Sequence, residues 1–357
     1  MIISEAPGRI CLFGEHQDYL KLDVVAAAIN LKFKITAEER NDKIFKINMP
    51  DINVTTELDP ESELKYDNSR DYIKAVINVI KKEYNVVFDK GYTFTFTSTI
   101  PINAGASSSS VMLVAWTKLL LRLNNIEDYK DAEKVAYLAY LAEVEEFNEA
   151  GGMMDHYSSS IGNVVHIETK FKPVKCHNID IKLNGFVLGH SLEPKDTVGV
   201  LKNLKSNSLE SINKIKKYVS DFDFEKYTYG SIKEYVDKLE SPYNKILKAN
   251  LLNHEYAVKA LEKFKTGNFT DRELGELLYL HHEQLRDGLG ISTAKIEKML
   301  DESMKAGGLG GKINGSGGGG TMFVYAPGKE QDVAEAIEKA GGKPYILEIS
   351  PGARILE

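Results

Sequence analysis

The run VMLVAWTKLLLRL, Val111 to Leu123, is too long and too apolar for anything but a buried helix. The stretch GYTFTFTSTIP (91–101) comes just before it and alternates strictly. Tyr92, Phe94 and Phe96 share one face of a strand and the threonines share the other. Between strand and helix stands NAGASSSS (103–110), a loop of small residues. The chain must therefore place a helix against a sheet and join the two through a loop with almost no side-chain bulk. The same alternation makes strands of KFKITAEER and FKINMP, while NVVHIE and FVLGHS read as short apolar strands. Asp71–Tyr84 and Lys134–Phe147 read as helices, and about 195–300 is mostly lysine- and glutamate-rich helix. The end returns to strand, helix and strand in GGTMFVYAP, QDVAEAIEKAG and PYILEIS. This is an α+β pattern. With 357 residues it predicts two domains, 1–190 and 191–357.

Composition limits the partners. The net charge of −7 argues against nucleic acid and against an acidic membrane surface. No apolar run reaches membrane-spanning length. MIISEAPGRI lacks a basic stretch followed by an apolar one, so no signal peptide is expected. Cys11 and Cys176 give neither a disulfide framework nor a metal spacing, and a cytoplasmic setting is the expectation. A small anionic ligand remains compatible with the charge, because backbone amides and a metal hold it locally.

Three places are dense in glycine, serine or charge. NAGASSSS lies where a strand hands over to a helix, the position at which unpaired amides and the helix dipole bind anions. The same serines also suit plain N-capping. PGRICLFGEHQDYL (7–20) carries Arg9, Glu15, His16 and Asp18 within ten residues. That is either a hydroxyl-recognition set or a solvated turn. GSGGGG (315–320) precedes a strand. It is not a Walker loop, because Ala306 and Ile313 stand where glycine and a hydroxyl are needed around Lys312. It is not a dinucleotide fingerprint either, since no helix follows.

Taken in order, PGRICLFGEHQDYL, PINAGASSSS and KINGSGGGGTMFVY resemble the three motifs of the GHMP kinases, the family of galactokinase, homoserine, mevalonate and phosphomevalonate kinases. The resemblance runs down to the tail PGARIL. Within the family, Glu15-His16-x-Asp18-Tyr19, GGMMDHYSSSIG (151–162) and HEQLRDGLGIST (282–293) are most similar to galactokinases. It implies a two-domain GHMP kinase fold: an N-terminal domain with a left-handed β-α-β phosphate unit, a C-terminal ferredoxin-like domain, and the active site between them.

The resemblance also implies roles. ATP and Mg2+ are the expected cofactors. Asp155 would take the proton from the attacking hydroxyl, and Arg9 would stand beside it. Asn103, Ala104, Gly105, Ala106, Ser107, Ser108 and Ser109 would cradle the ATP phosphates. Ser109 and Glu143 would hold Mg2+, with Glu145 or Glu146 as alternatives to Glu143. Glu15, His16, Asp18, Gly152 and Asp155 would bind the acceptor, with Gly152 letting it approach the backbone. Gly315, Ser316, Gly317 and Gly318 would leave room for the ligands. The expected reaction is phosphorylation of a free sugar at its anomeric hydroxyl, galactose first, by a monomer or small homo-oligomer.

The pattern departs from the family at Gln17, Asn103 and Ala106. No tyrosine or arginine pair appears in SLEPKDTVGVLKNLKSNSLESI (191–212), where galactokinases carry them. Arabinose, a uronic acid or a heptose are alternatives, as is a non-sugar alcohol such as mevalonate, and a non-catalytic sugar sensor is a further one. Of the residues outside the motifs, His281 and His282 are expected on a helix surface and Trp116 in the core. His156 is expected to touch substrate or to pack behind Asp155.

Overall fold

The alternating strands of the first hundred residues pair into one sheet. The structure is a computed structural model that describes residues 1–101, 107–194 and 197–357. β1 (Ile2–Phe13), β2 (Val24–Arg40), β3 (Phe45–Met49) and β4 (Val54–Leu58) come first. They are followed by α1 (Tyr72–Tyr84), β5 (Gly91–Ser98), α2 (Ser108–Leu123) and α3 (Ala132–Tyr140), which runs on into a π-helical turn, Leu141–Glu145. α4 (Met154–Ile161), β6 (Val164–Glu168) and β7 (Lys175–Asn178) lead to β8 (Phe186–His190). A helical stretch comes next: α5 (Thr197–Ile215), α6 (Tyr229–Val236), α7 (Tyr243–Thr266), α8 (Asp271–Glu283) and α9 (Ala294–Lys305). The chain closes with β9 (Gly310–Asn314), β10 (Thr321–Tyr325), α10 (Glu330–Lys339), β11 (Lys343–Leu347) and β12 (Arg354–Leu356).

The described strands form two sheets. The first runs β12-β1-β2-β5-β3-β4, with β6 also on β2 and β7 on β6. β3 lies parallel to β5, and the other pairs of this sheet are antiparallel. β2 is long because it serves two neighbours: Val24–Ala27 pair with β6 and Phe33–Arg40 with β5. The second sheet runs β11-β8-β10-β9, antiparallel throughout. β8 thus belongs to the second sheet although it ends at 190, and β12 returns to the first. The expected cut at 190 falls after a strand of the second sheet, because a short apolar strand such as FVLGH carries no mark of the sheet it joins.

The apolar faces explain the layers. Trp116 of α2 is fully buried against Phe45, Phe94 and Phe96, and its indole N–H donates to the Ile73 carbonyl at 3.2 Å. A second cluster joins the two sheets: Ile10, Leu12 and Phe13 of β1 pack with Phe186, Leu188 and Phe323 and with Phe264 and Leu277. Each such side chain contributes ~1.5–3 kcal/mol on burial. The two sheets are therefore held together by a common core.

His281 and His282 correct the sequence reading, because both are fully buried. α8 presses its backbone onto β9: a Cβ at Gly310 would stand 1.8 Å from the Gly275 carbonyl oxygen. With α8 this close, a face that reads as polar is covered. His281 stacks on Phe13 with ring centroids 5.9 Å apart, and burial keeps its pKa well below the usual imidazole value. His282 Nε2 lies 2.9 Å from Glu297 Oε1, and its Nδ1 accepts the Ile313 N–H at 3.3 Å.

Candidate active site

One cleft gathers residues from widely separated places in the chain. β1 supplies Arg9, and the turn after it supplies Glu15, His16, Asp18 and Tyr19. The start of α2 supplies Ser107 to Ser110, and the π-helical turn supplies Glu143. Gly151 and Gly152, with Met154, Asp155 and His156 of α4, form another wall. Gly315 and Ser316 arrive from the second sheet. The turn after β1 is tight: the Gln17 N–H donates to the Gly14 carbonyl at 3.0 Å, with Gly14 at φ +88° and His16 at φ +62°. A Cβ at Gly14 would stand 2.7 Å from the Asp23 carbonyl oxygen, so glycine is required there.

Asp155 and Asp18 are two carboxylates with opposite surroundings. Arg9 is buried, and its Nε and Nη2 each lie 2.8 Å from Asp155 Oδ1. Burial pushes Asp155 toward the protonated form, but the Arg9 charge outweighs it and holds the carboxyl below its usual range. Asp18 is pushed up to about 6, first by burial and then by the Asp155 charge. Its oxygens accept the N–H groups of Met154 at 3.2 Å and Tyr19 at 2.9 Å. Gly152 gains a specific reason here: a Cβ at that position would stand 1.8 Å from Asp18 Oδ2. The close approach is that of Asp18, where the sequence reading placed the acceptor.

Glu143 faces the cleft, whereas Glu145 and Glu146 turn away to the hydroxyls of Tyr140 and Tyr66. Glu143 Oε2 accepts the Ser110 hydroxyl at 2.6 Å and lies 2.7 Å from His156 Nε2. Burial opposes its charge, but His156, Ser110 and Ser109 hold its pKa below the usual value. His156 is almost fully buried and lines the cleft beside the Glu143 carboxylate. Ser107 precedes α2 with φ +63°, and its side chain makes no cap to the helix. Capping therefore does not explain it. Asn103, Ala104, Gly105 and Ala106 lie outside the described residues.

Within GSGGGG only Gly315 and Ser316 line the cleft. Gly315 and Gly317 through Gly320 all have positive φ, between +71° and +111°. A Cβ at Gly317 would stand 2.6 Å from Ile291 Cβ, and one at Gly318 would stand 3.3 Å from Val200 Cγ2. Backbone conformation and packing already constrain the glycines at 317 and 318.

Sequence reasoning missed Arg70, Glu149 and Leu201, stopped the phosphate set one residue short of Ser110, and weighed Lys312 only against the Walker pattern. Arg70 lines the cleft mouth paired with Glu149, Nε to Oε1 at 3.2 Å. Leu201 of α5 stands among the lining residues. Lys312 is fully buried beneath Glu15.

Comparison with known proteins agrees with the three-motif reading. Residues 71–163 match the GHMP kinases N terminal domain, 257–345 the GHMP kinases C terminal, and 2–37 the Galactokinase galactose-binding signature. The chain is 32% identical to the mevalonate kinase of Thermococcus gammatolerans over 100% of this chain and 98% of the relative. It is 26% identical to the galactokinase of Thermotoga neapolitana over 97% and 95%. Among solved structures it is similar to Lactococcus lactis galactokinase complexed with galactose, with TM-score 0.85, 20% identity and 99% and 95% of the two chains covered. It is similar to Methanococcus jannaschii mevalonate kinase with TM-score 0.73, 20% identity and 98% of both chains covered.

Proposed function

Because the chain belongs to the GHMP kinase family of ATP-dependent phosphotransferases acting on alcohol groups, we propose that this cleft phosphorylates a neutral sugar, at the anomeric hydroxyl. The observation that carries this reading is the charge of the lining. Asp18, Glu143, Glu149 and Asp155, with Glu15 balanced by the buried Lys312, stand against Arg9 and Arg70, and both arginines already pair with a carboxylate. An acceptor with its own carboxylate meets more repulsion than attraction among the described residues, whereas hydroxyl groups find ready acceptors. The match to the galactose-binding signature supports the same choice.

In this reading Asp155 accepts the proton of the attacking hydroxyl. Arg9 keeps it ionised and offers charge to the developing alkoxide. Asp18, fixed by two backbone N–H groups, accepts from an acceptor hydroxyl. The amides at the start of α2 lie against the phosphates. Glu143, ionised, with the Ser109 and Ser110 hydroxyls, makes a hard-oxygen set that suits Mg2+. Those residues would hold the ion, which supplies charge neutralisation at the phosphates.

A second reading has a specific support. The relatives at 28–32% identity that cover nearly the whole chain are mevalonate kinases, which favours the non-sugar alternative over galactose. One experiment separates the two: ADP release with MgATP across galactose, arabinose, uronic acids, heptoses and mevalonate, with phosphorus NMR of the product. The expected result is a sugar 1-phosphate. Turnover of mevalonate and of no sugar would overturn the sugar reading.

A further inference from the structure

Lys312 stands in β9 between Gly311 and Ile313, and its side chain has no exposure at all. A buried ammonium needs partners for its donors. Lys312 Nζ donates to Glu15 Oε2 at 2.7 Å and to the Cys11 carbonyl at 3.0 Å, and it sits 5.3 Å from the centre of the Phe323 ring. Two residues on, on the same face of the strand, Asn314 Oδ1 accepts the Cys11 N–H at 2.9 Å. One strand of the second sheet thus takes both backbone groups of Cys11 and the side chain of Glu15. Cys11 is two residues from Arg9, which pairs with Asp155.

We infer that Lys312 is a positioning residue for the acceptor: from the second domain it fixes the Glu15 carboxylate in the cleft and pins the segment of β1 that presents Arg9. This rests on the reading of the cleft as an acceptor site. The pairing has a chemical consequence. The net charge of the Glu15–Lys312 pair is zero, so the cleft gains a hydroxyl acceptor at Glu15 without a further uncompensated negative charge. It also has a geometric one. Glu15 lies in a turn held by φ-positive residues, and among the described residues the hydrogen bond to its carboxylate comes from Lys312 of the other sheet. Acceptor affinity therefore depends on the two sheets being docked.

The test uses whichever acceptor the substrate panel identifies. K312M is expected to raise KM for the acceptor by about tenfold to a hundredfold, the loss of one charged hydrogen-bonding group, with KM for MgATP changed less than about twofold. E15Q is expected to give the same split, and the double variant E15Q/K312M to be no worse than either single change, because both act through one contact. Equal increases in both KM values in K312M, or additive effects in the double variant, would overturn the inference. If K312M does not fold, K312Q decides the matter: a raised acceptor KM with MgATP unaffected supports the inference, and an unchanged acceptor KM sinks it. Should the acceptor prove to be mevalonate, the sugar reading fails while the split in KM still judges Lys312.

Discussion

Asp18 and Asp155 share one cleft, and each is set by its nearest partner. Asp155 has Arg9 at 2.8 Å, while Asp18 has two amides and a neighbouring negative charge. Replacing Asp155 by Asn is expected to lower kcat by about 10²–10⁴-fold, the usual worth of a general base, while MgATP still raises the melting temperature. Equal turnover would remove Asp155 as base. Asp18 predicts a pH effect. Its folded pKa of about 6 means that it gains a proton as pH falls from 7 to 5 and then accepts hydroxyls less well. Acceptor KM should rise over that window and stay flat in D18N. For stability the sign differs: a raised carboxyl pKa favours the fold at low pH, and that contribution fades as pH climbs through 6. Asp155 acts the other way, because its lowered pKa favours the fold above the ordinary carboxyl value and the benefit is lost on acidification. Gly152→Ala should raise acceptor KM by displacing Asp18, measured beside an unchanged KM for MgATP. The pairing of Arg9 with Asp155 was open to sequence reading through the family motifs. Lys312 was not, because burial of a lysine appears only when the partner sheet is in place.

At the scale of elements, the loop GSGGGG shows how a motif is legible without its reason. Its glycines stood out in the chain, but a string of letters does not contain φ. Gly317→Ala places a side chain at φ +79° and against Ile291. It is expected to lower stability by ~1–3 kcal/mol, the cost of a strained backbone position, as read by thermal denaturation. A melting temperature equal to that of the parent would contradict the account. α2 was legible as a buried helix from its composition, and its aromatic contacts follow from that. α8 was not, since its histidines look polar and only the contact of Gly275 with Gly310 shows how closely β9 covers it.

On the scale of the molecule, the end of the chain clasps α4, the helix that carries Asp155. β12 pairs with β1, the Ala353 N–H donates to the Ser159 and Ser160 carbonyls at 3.1 Å, and the Asn163 N–H donates to the Ser350 carbonyl at 2.8 Å. Ser159 and Ser160 lie at the C-terminal end of α4, the helix that carries Asp155. Removing residues 352–357 is expected to lower both the melting temperature and kcat, measured by thermal denaturation and by ADP release; a full kcat in the shortened chain would show that α4 needs no such support. The sequence by itself determined α1, α2 and the alternating strands such as β5, because these follow from local periodicity, and it carried the three motifs in order, whose resemblance to the GHMP kinases named the family. Tertiary structure alone decided which sheet β8 and β12 join, that α8 is covered on its polar side, that Glu143 rather than Glu145 or Glu146 turns inward, and that Lys312 meets Glu15. Those outcomes depend on tertiary contacts, from 33 positions apart for Ser110 and Glu143 to 297 for Glu15 and Lys312, where burial and charge pairing act only after the chain has closed on itself.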